Sequence, residues 1–338
     1  MAVQKSGYAR GQPMQIKSFS PGRVASPPVQ ITKTEGEPLD PVVTPDGKTV
    51  IFAAGKSRPL TRELHRVGID GEDQVQLTDR VVNYSWHPSI SPDGEKIAYV
   101  VEKEGKSDLQ VMNLDGSGNI NLTDTNKGYW YPSWSADGKW IATTSRDTRG
   151  GNLEIVVVAA DGSEKTQVTD LGLNTDMPTF APDGAHIVFG LAPGFGAPIL
   201  SSIKRDGTGF RTYANDLVLM SQPTVAEDGR IAFSASARNG RTGIYQVQLN
   251  SDEQAELIVD TETAFSPQYS PDGKHLVFSA STDSGMQIFE ANSDGTEPRA
   301  LTQGEGFKSA PSYVGDGQAV VYTSYQDGEK EVYRVDLK

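Results

Sequence analysis

The sequence predicts an all-β fold, a seven-bladed β-propeller with four-stranded blades, on three observations. An Asp-Gly turn recurs at a near-constant interval, a proline stands a short step upstream of each, and seven inner and seven outer strands can be tallied. The turns are Pro45-Asp46-Gly47, Pro92-Asp93-Gly94, Ala136-Asp137-Gly138, Pro182-Asp183-Gly184, Glu227-Asp228-Gly229, Pro271-Asp272-Gly273 and Gly315-Asp316-Gly317, with successive aspartates 44 to 47 residues apart. Pro41, Pro88, Pro132, Pro178, Pro223, Pro267 and Pro311 mark the blade starts. A period near 45 residues is that of four-stranded propeller blades.

The elements follow in chain order. Residues 1–28 read as a flexible basic arm: Lys5, Arg10, Lys17 and Arg23 stand there without an acid, among Ser, Pro and Gly. Residues 29–338 form the propeller. Within a blade, a short inner strand such as Pro132-Ser133-Trp134-Ser135 leads into Pro-Asp-Gly, where proline presets φ and glycine accepts the positive φ that follows. A second strand comes next (Lys96-Ile97-Ala98-Tyr99-Val100), then a third (Asp108-Leu109-Gln110-Val111-Met112). A second Asp-Gly turn introduces the fourth, which ends in a signature such as Gln76-Leu77-Thr78 or Asn121-Leu122-Thr123. The last blade lacks its outer strand, and Val29-Gln30-Ile31-Thr32 supplies it beside Glu331–Leu337. Closure of this kind protects strand edges that an open array exposes.

Composition narrows the function. Net charge is −13, with the basic arm set against an acidic body, which argues against nucleic acid as partner. No run approaches the ~18 apolar residues of a membrane span, and the first thirty residues contain no signal-peptide core. The absence of cysteine removes disulfides, thiolate metal sites and a Cys nucleophile.

The repeat Pro-x-[aromatic or aliphatic]-Ser-Pro-Asp-Gly, followed by an aromatic strand, Asn-x-Asp-Gly-Ser and x-Leu-Thr, resembles the PD40 (WD40-like) repeat of TolB-like propellers. The stretch Arg146-Asp147-Thr148-Arg149-Gly150-Gly151-Asn152-Leu153-Glu154-Ile155 is similar to the family's second loop. The resemblance covers residues 29–338. It implies a periplasmic or secreted protein, with the cytoplasm as the alternative, that binds partners at its channel mouth. It also implies calcium in the channel of some members, for which Asp40 or Asp176 would be ligands; no other cofactor is indicated. The same repeat occurs in peptidase-associated propellers and oligogalacturonate lyases, so it does not fix activity.

Motifs of chemistry are missing. The sequence has no Gly-x-Ser-x-Gly elbow, no His-Glu-x-x-His and no dinucleotide fingerprint. Of four histidines, His186 and His275 read as surface residues at strand starts, His65 lies far from the axis, and only His87 is placed to face the channel. The residue before each blade-starting proline enters the mouth, and it differs in every blade: Asp40, His87, Tyr131, Met177, Gln222, Ser266 and Ala310. Trp86, Tyr129, Trp130, Met220, Phe265 and Phe307 stand beside it, either at the mouth or packed between blades. Loops between second and third strands open on the same face and gather cations, among them Arg62, Arg146, Arg238 and Lys330.

These features lead to a non-catalytic monomeric binding platform that holds a peptide, protein segment or other anionic ligand. The ligand-binding set is Asp40, Trp86, His87, Trp130, Tyr131, Arg146, Met177, Gln222, Arg238 and Ser266. One alternative is a carbohydrate-active enzyme, lyase or hydrolase, acting on an acidic glycan. Another is the propeller domain of a larger peptidase-type protein.

Overall fold

In four of the repeats the Asp-Gly turn is satisfied by its own hydroxyl and carboxylate. Ser135 Oγ donates to Asp137 Oδ1 at 2.6 Å and accepts the Trp140 N–H at 3.0 Å, while Asp137 Oδ1 also accepts the Lys139 N–H at 3.1 Å. The same bonds recur about Thr44 and Asp46, Ser91 and Asp93, and Ser270 and Asp272. Ala181 replaces the hydroxyl in the fourth repeat. There His186 is drawn inward, its Nδ1 lying 2.6 Å from Asp183 Oδ2, so it is buried rather than on the surface as expected.

The computed structural model describes residues 25–34, 36–55, 61–78, 84–123, 127–147, 150–192, 197–237, 240, 242–261, 263–326 and 328–337. The predicted arm, except for residues 25–28, therefore lies outside the described residues. Among those described are twenty-nine strands and no helix. Four-stranded antiparallel sheets occupy residues 39–76, 84–121, 127–167 and 174–212. The next sheet, within 217–260, has five strands because its inner strand is split into Leu217–Leu219 and Thr224–Val225. An eight-stranded sheet holds the rest: two four-stranded units joined by a single parallel pairing of Met286 with Phe307.

The Leu-Thr signature locks outer strands to third strands. Thr302 Oγ1 accepts the Ile288 N–H at 2.9 Å and donates to Gln287 Oε1 at 2.9 Å. Thr78 with Glu63, Thr123 with Asp108 and Thr169 with Glu154 repeat the pattern. Thr32 does the same across the termini, accepting the Val332 N–H at 2.8 Å and donating to Glu331. The segment Gln30-Ile31-Thr32 is thus a further copy of the signature. Val29 and Gln30 pair with Arg334 and Tyr333. Pairing reaches four residues before the expected strand, through an Ala25–Leu337 bridge and a Ser26 N–H to Asp336 carbonyl bond of 2.9 Å. Alanine and serine carry no hydrophobic signal, so only backbone geometry reveals this extension.

Apolar side chains pack between adjacent sheets. Ile51, Ala53 and Leu64 meet Ile97, Tyr99, Val101 and Met112. Ile31, Val50, Phe52 and Val67 meet Val314, Ala319, Val321 and Val332, so the first and last units share a core. Each such large side chain contributes about 1.5–3 kcal/mol by burial. The Glu290–Arg299 ion pair is buried too, with the Tyr313 hydroxyl of the next unit donating to Glu290 at 2.9 Å.

Candidate functional site

Proline creates the site. It has no N–H and crowds the residue before it, so the inner strand cannot keep its ladder there. The register shifts at six inner strands, between Leu39/Val42, Trp86/Ser89, Trp130/Ser133, Asp176/Thr179, Phe265/Gln268 and Ser309/Ser312. At each shift the residue before proline is left-handed, although none is glycine. The φ values are 50° at Asp40, 49° at His87, 55° at Tyr131, 53° at Met177, 51° at Ser266 and 51° at Ala310. Such a conformation costs on the order of 1–3 kcal/mol per residue and persists only where surrounding structure imposes it. Bulges of this kind re-aim side chains.

Several of these side chains converge. The His87 ring stacks between Trp86, at 4.6 Å and 13°, and Tyr131, at 4.2 Å and 28°. Burial lowers the His87 pKa, with Asp40 opposing and Arg62 adding to the effect, so the imidazole is neutral at neutral pH. Tyr131 is raised by burial and then by the charges of Asp176 and Asp40. Asp176 is itself raised by burial, against bonds from the Met177 N–H at 2.8 Å and the Thr144 hydroxyl at 3.3 Å. Burial lowers Lys330, countered by Asp40 and Glu37 and reinforced by Arg62. Groups from the first four units and the last thus feel one another. Perturbed titrating groups of this kind gather at functional sites.

The sequence-derived set divides on this geometry. Asp40, Trp86, His87 and Tyr131 come together. Trp130 and Arg146 stand as a pair, the guanidinium 5.9 Å from the indole centroid. Gly128 seats that indole: a Cβ there would meet it at 2.2 Å. Met177 instead packs against the apolar cluster shared by its own unit and the next, which holds Val188, Leu200, Leu217, Leu219 and Phe233. Gln222 lacks the left-handed backbone, its inner strand being the split one, and its Nε2 donates to the Pro178 carbonyl and Thr179 hydroxyl, both at 3.2 Å. Ser266 is half-buried, and Arg238 lies outside the described residues. Tyr129 is core, whereas Phe307 and Met220 are exposed.

Arg62, Lys330 and Asp176 join the cluster, although the sequence offered the first two only as loop cations. A repeat alignment carries the missed signal. Arg62 and Lys330 occupy the same position, immediately before Glu63 and Glu331, the acids that hold Thr78 and Thr32.

Calcium takes six to eight oxygen ligands. Asp40 and Asp176 both act on Tyr131, but among the described residues no three His, Asp or Glu side chains are grouped to hold a metal ion.

Repeated four-stranded sheets packed on one another, with inner strands presenting the variable positions, define a β-propeller. The chain belongs to the TolB beta propeller domain family, which it matches over residues 25–216 and again over 205–338. It is 28% identical over 264 residues to the Tol-Pal system protein TolB of Francisella tularensis subsp. mediasiatica, covering 73% of this chain and 60% of that protein. The chain therefore spans about 60% of the length of that relative. An oligogalacturonate lyase solved in complex with manganese superposes with a TM-score of 0.72 at 14% identity, covering 94% of this chain and 98% of the other. A prolyl endopeptidase gives 0.67 at 16%, covering 89% and 50%. At such identities the likeness is one of fold. No helix of the described residues is long and apolar enough to cross a membrane.

Proposed function

We propose that the four-stranded units close into a single seven-bladed ring, with Val29–Thr32 completing the last blade. The ring acts as a non-catalytic binding platform whose mouth holds a peptide or protein segment or another anionic ligand. The left-handed backbone before six of the seven blade-starting prolines carries this reading. One strained frame places a different side chain in each of these units, and Asp40, His87 and Tyr131 among them converge, an arrangement suited to recognition. The Trp86–His87–Tyr131 stack and the Trp130–Arg146 pair supply flat apolar area and a planar cation. By analogy with the Tol-Pal relative, the platform would work in the periplasm or outside the cell, with a protein as partner; we take it to act as a monomer.

The test uses purified protein as bait. A partner retained by wild type and by Asp115→Asn/Asp206→Asn, but lost with Trp86→Ala/Tyr131→Ala at unchanged Tm, supports the platform. Retention by the mouth variant would overturn it.

A second reading has one observation in its favour: Tyr131 stands near neutral His87 and near Asp176, whose pKa is raised, a set able to hold and move a proton. Acting on an acidic glycan, such a set would make the chain a carbohydrate-active enzyme. Release of unsaturated or reducing ends from an acidic oligosaccharide, abolished by Tyr131→Phe, would favour that reading over the platform. The chain as the propeller part of a larger peptidase-type protein is compatible with either.

A further inference from the structure

Two aromatic side chains of the last unit stand open to solvent side by side. Phe307 and Tyr325 are directly opposite each other on neighbouring strands, 51% and 49% exposed, and Lys330 is opposite Tyr325 on the strand after that. Residues paired in register point to the same side of a sheet, with their β-carbons about 5 Å apart. Further along that side, Val314, Ala319, Val321 and Val332 pack on Val50 and Phe52 of the first unit. The aromatic pair therefore continues a buried face beyond the core that the two units share. Phe307 lies four residues before Pro311, as Tyr84 lies four before Pro88, so the pair is at the mouth end of the unit.

Other units fill this row differently. It reads Tyr84–Glu102 in the second, Gly128–Arg146 in the third and Asn174–Ala192 in the fourth, and none of these pairs is apolar on both strands. A single exposed apolar residue is ordinary on a protein surface, whereas adjoining exposed rings build the kind of patch that marks an interaction site.

Charge connects this patch to the mouth cluster. Lys330 feels Asp40, Glu37 and Arg62, while His87, stacked on Trp86 and Tyr131, feels Asp40 and Arg62 as well. Shared cores place the last unit beside the first, the first beside the second and the second beside the third. One aromatic group on the last unit is thus followed by charges of both signs on the first, and then by a second aromatic group on the second and third.

We propose that Phe307 and Tyr325 form a second anchor point of the mouth, and that the partner is an extended protein segment with two apolar side chains. One rests on Phe307 and Tyr325, the other on the stack of Trp86, His87 and Tyr131, and the residues between them are polar. This rests on the platform reading and narrows its ligand to a peptide of that pattern. A compact anion or a single sugar covers one aromatic group and leaves the other wet. A segment that joins both makes its second contact at the high effective concentration set by the first.

Random twelve-residue peptides displayed on phage are the probe, since such a peptide extends to about 40 Å. Selection on the wild-type protein should enrich sequences with two apolar positions separated by polar ones. Titrated as synthetic peptides in a calorimeter, they should bind Phe307→Ser/Tyr325→Ser roughly tenfold more weakly. Trp86→Ala/Tyr131→Ala should weaken them by a similar factor. Phe307→Leu/Tyr325→Leu, which keeps an apolar surface, should recover most of the loss. Changing either apolar anchor of the peptide to Ser should weaken binding to wild type as much. The peptide without its rim anchor should then no longer distinguish wild type from Phe307→Ser/Tyr325→Ser. Peptides that respond to Trp86→Ala/Tyr131→Ala but ignore the Phe307 and Tyr325 changes would overturn the second anchor and leave the platform standing. Enrichment of peptides with one apolar anchor, or of none at all, would overturn it too. Indifference to both pairs of changes would remove the platform with it.

Discussion

Threonine and aspartate hydroxyl–carboxylate pairs are the smallest units on which this fold depends. Thr302 is buried and makes two hydrogen bonds, so Thr302→Val leaves the Ile288 N–H and the Gln287 carbonyl oxygen without partners. The expected cost is about 1–3 kcal/mol, read from the denaturant midpoint at unchanged slope. Thr32→Val should cost a similar amount, because its bonds are the same although its partners lie 299 and 300 residues away. A second residue-scale expectation concerns pH. Asp272 is lowered to about 2 by the Ser270 hydroxyl and the Lys274 N–H. A carboxyl depressed in the folded state stabilises above its unfolded pKa, here the ordinary 3.8, and that contribution is lost as pH falls toward about 2. Asp272→Asn should therefore be less stable than wild type at pH 6, with the gap closing by pH 2, as urea titrations at the two pH values would show. His87 follows the same sign from a different cause. Its pKa is lowered by burial, so stability should decline as pH drops below about 6.5, its unfolded value, and His87→Phe should flatten that decline.

Strands are where sequence reading succeeded most and where its failures are most instructive. The period of the Asp-Gly turn located every sheet, because a turn must be written in residue types that tolerate it. The left-handed backbone before proline was not legible: no residue type there advertises positive φ, and only the broken ladder reveals it. Gln222 and Met177 stood at the right repeat position yet turned elsewhere, since a split inner strand and an apolar cluster shared with the next unit claimed them. His186 was misplaced because the missing hydroxyl of Ala181 was not recognised as an opening for an imidazole. At this scale the N-terminal strand gives a direct expectation. Removing residues 1–24 should leave Tm unchanged, whereas removing 1–34 strips Ile31 and Thr32 from the last sheet and should lower Tm by several degrees. Equal Tm values in differential scanning calorimetry would contradict ring closure by this strand.

On the platform reading, an acidic body is set against a mouth that gathers Arg62, Arg146 and Lys330. Contacts between such a rim and an anionic ligand weaken with salt, since exposed charges are screened beyond about 8 Å at physiological ionic strength. Arg146→Ala should reduce partner affinity and its salt dependence while leaving Tm unchanged, because Arg146 is exposed and its described contact is the Trp130 face. The central claim is that binding occurs at the inner mouth rather than at the outer rim. Hydroxyl-radical footprinting of the protein with and without its captured partner reads this directly. Trp86, Trp130 and Tyr131 should lose reactivity in the complex, while exposed Val75 and Ile120 of the outer strands stay as reactive as in the free protein. Protection of Val75 and Ile120 with unchanged Trp86 and Tyr131 would contradict the account.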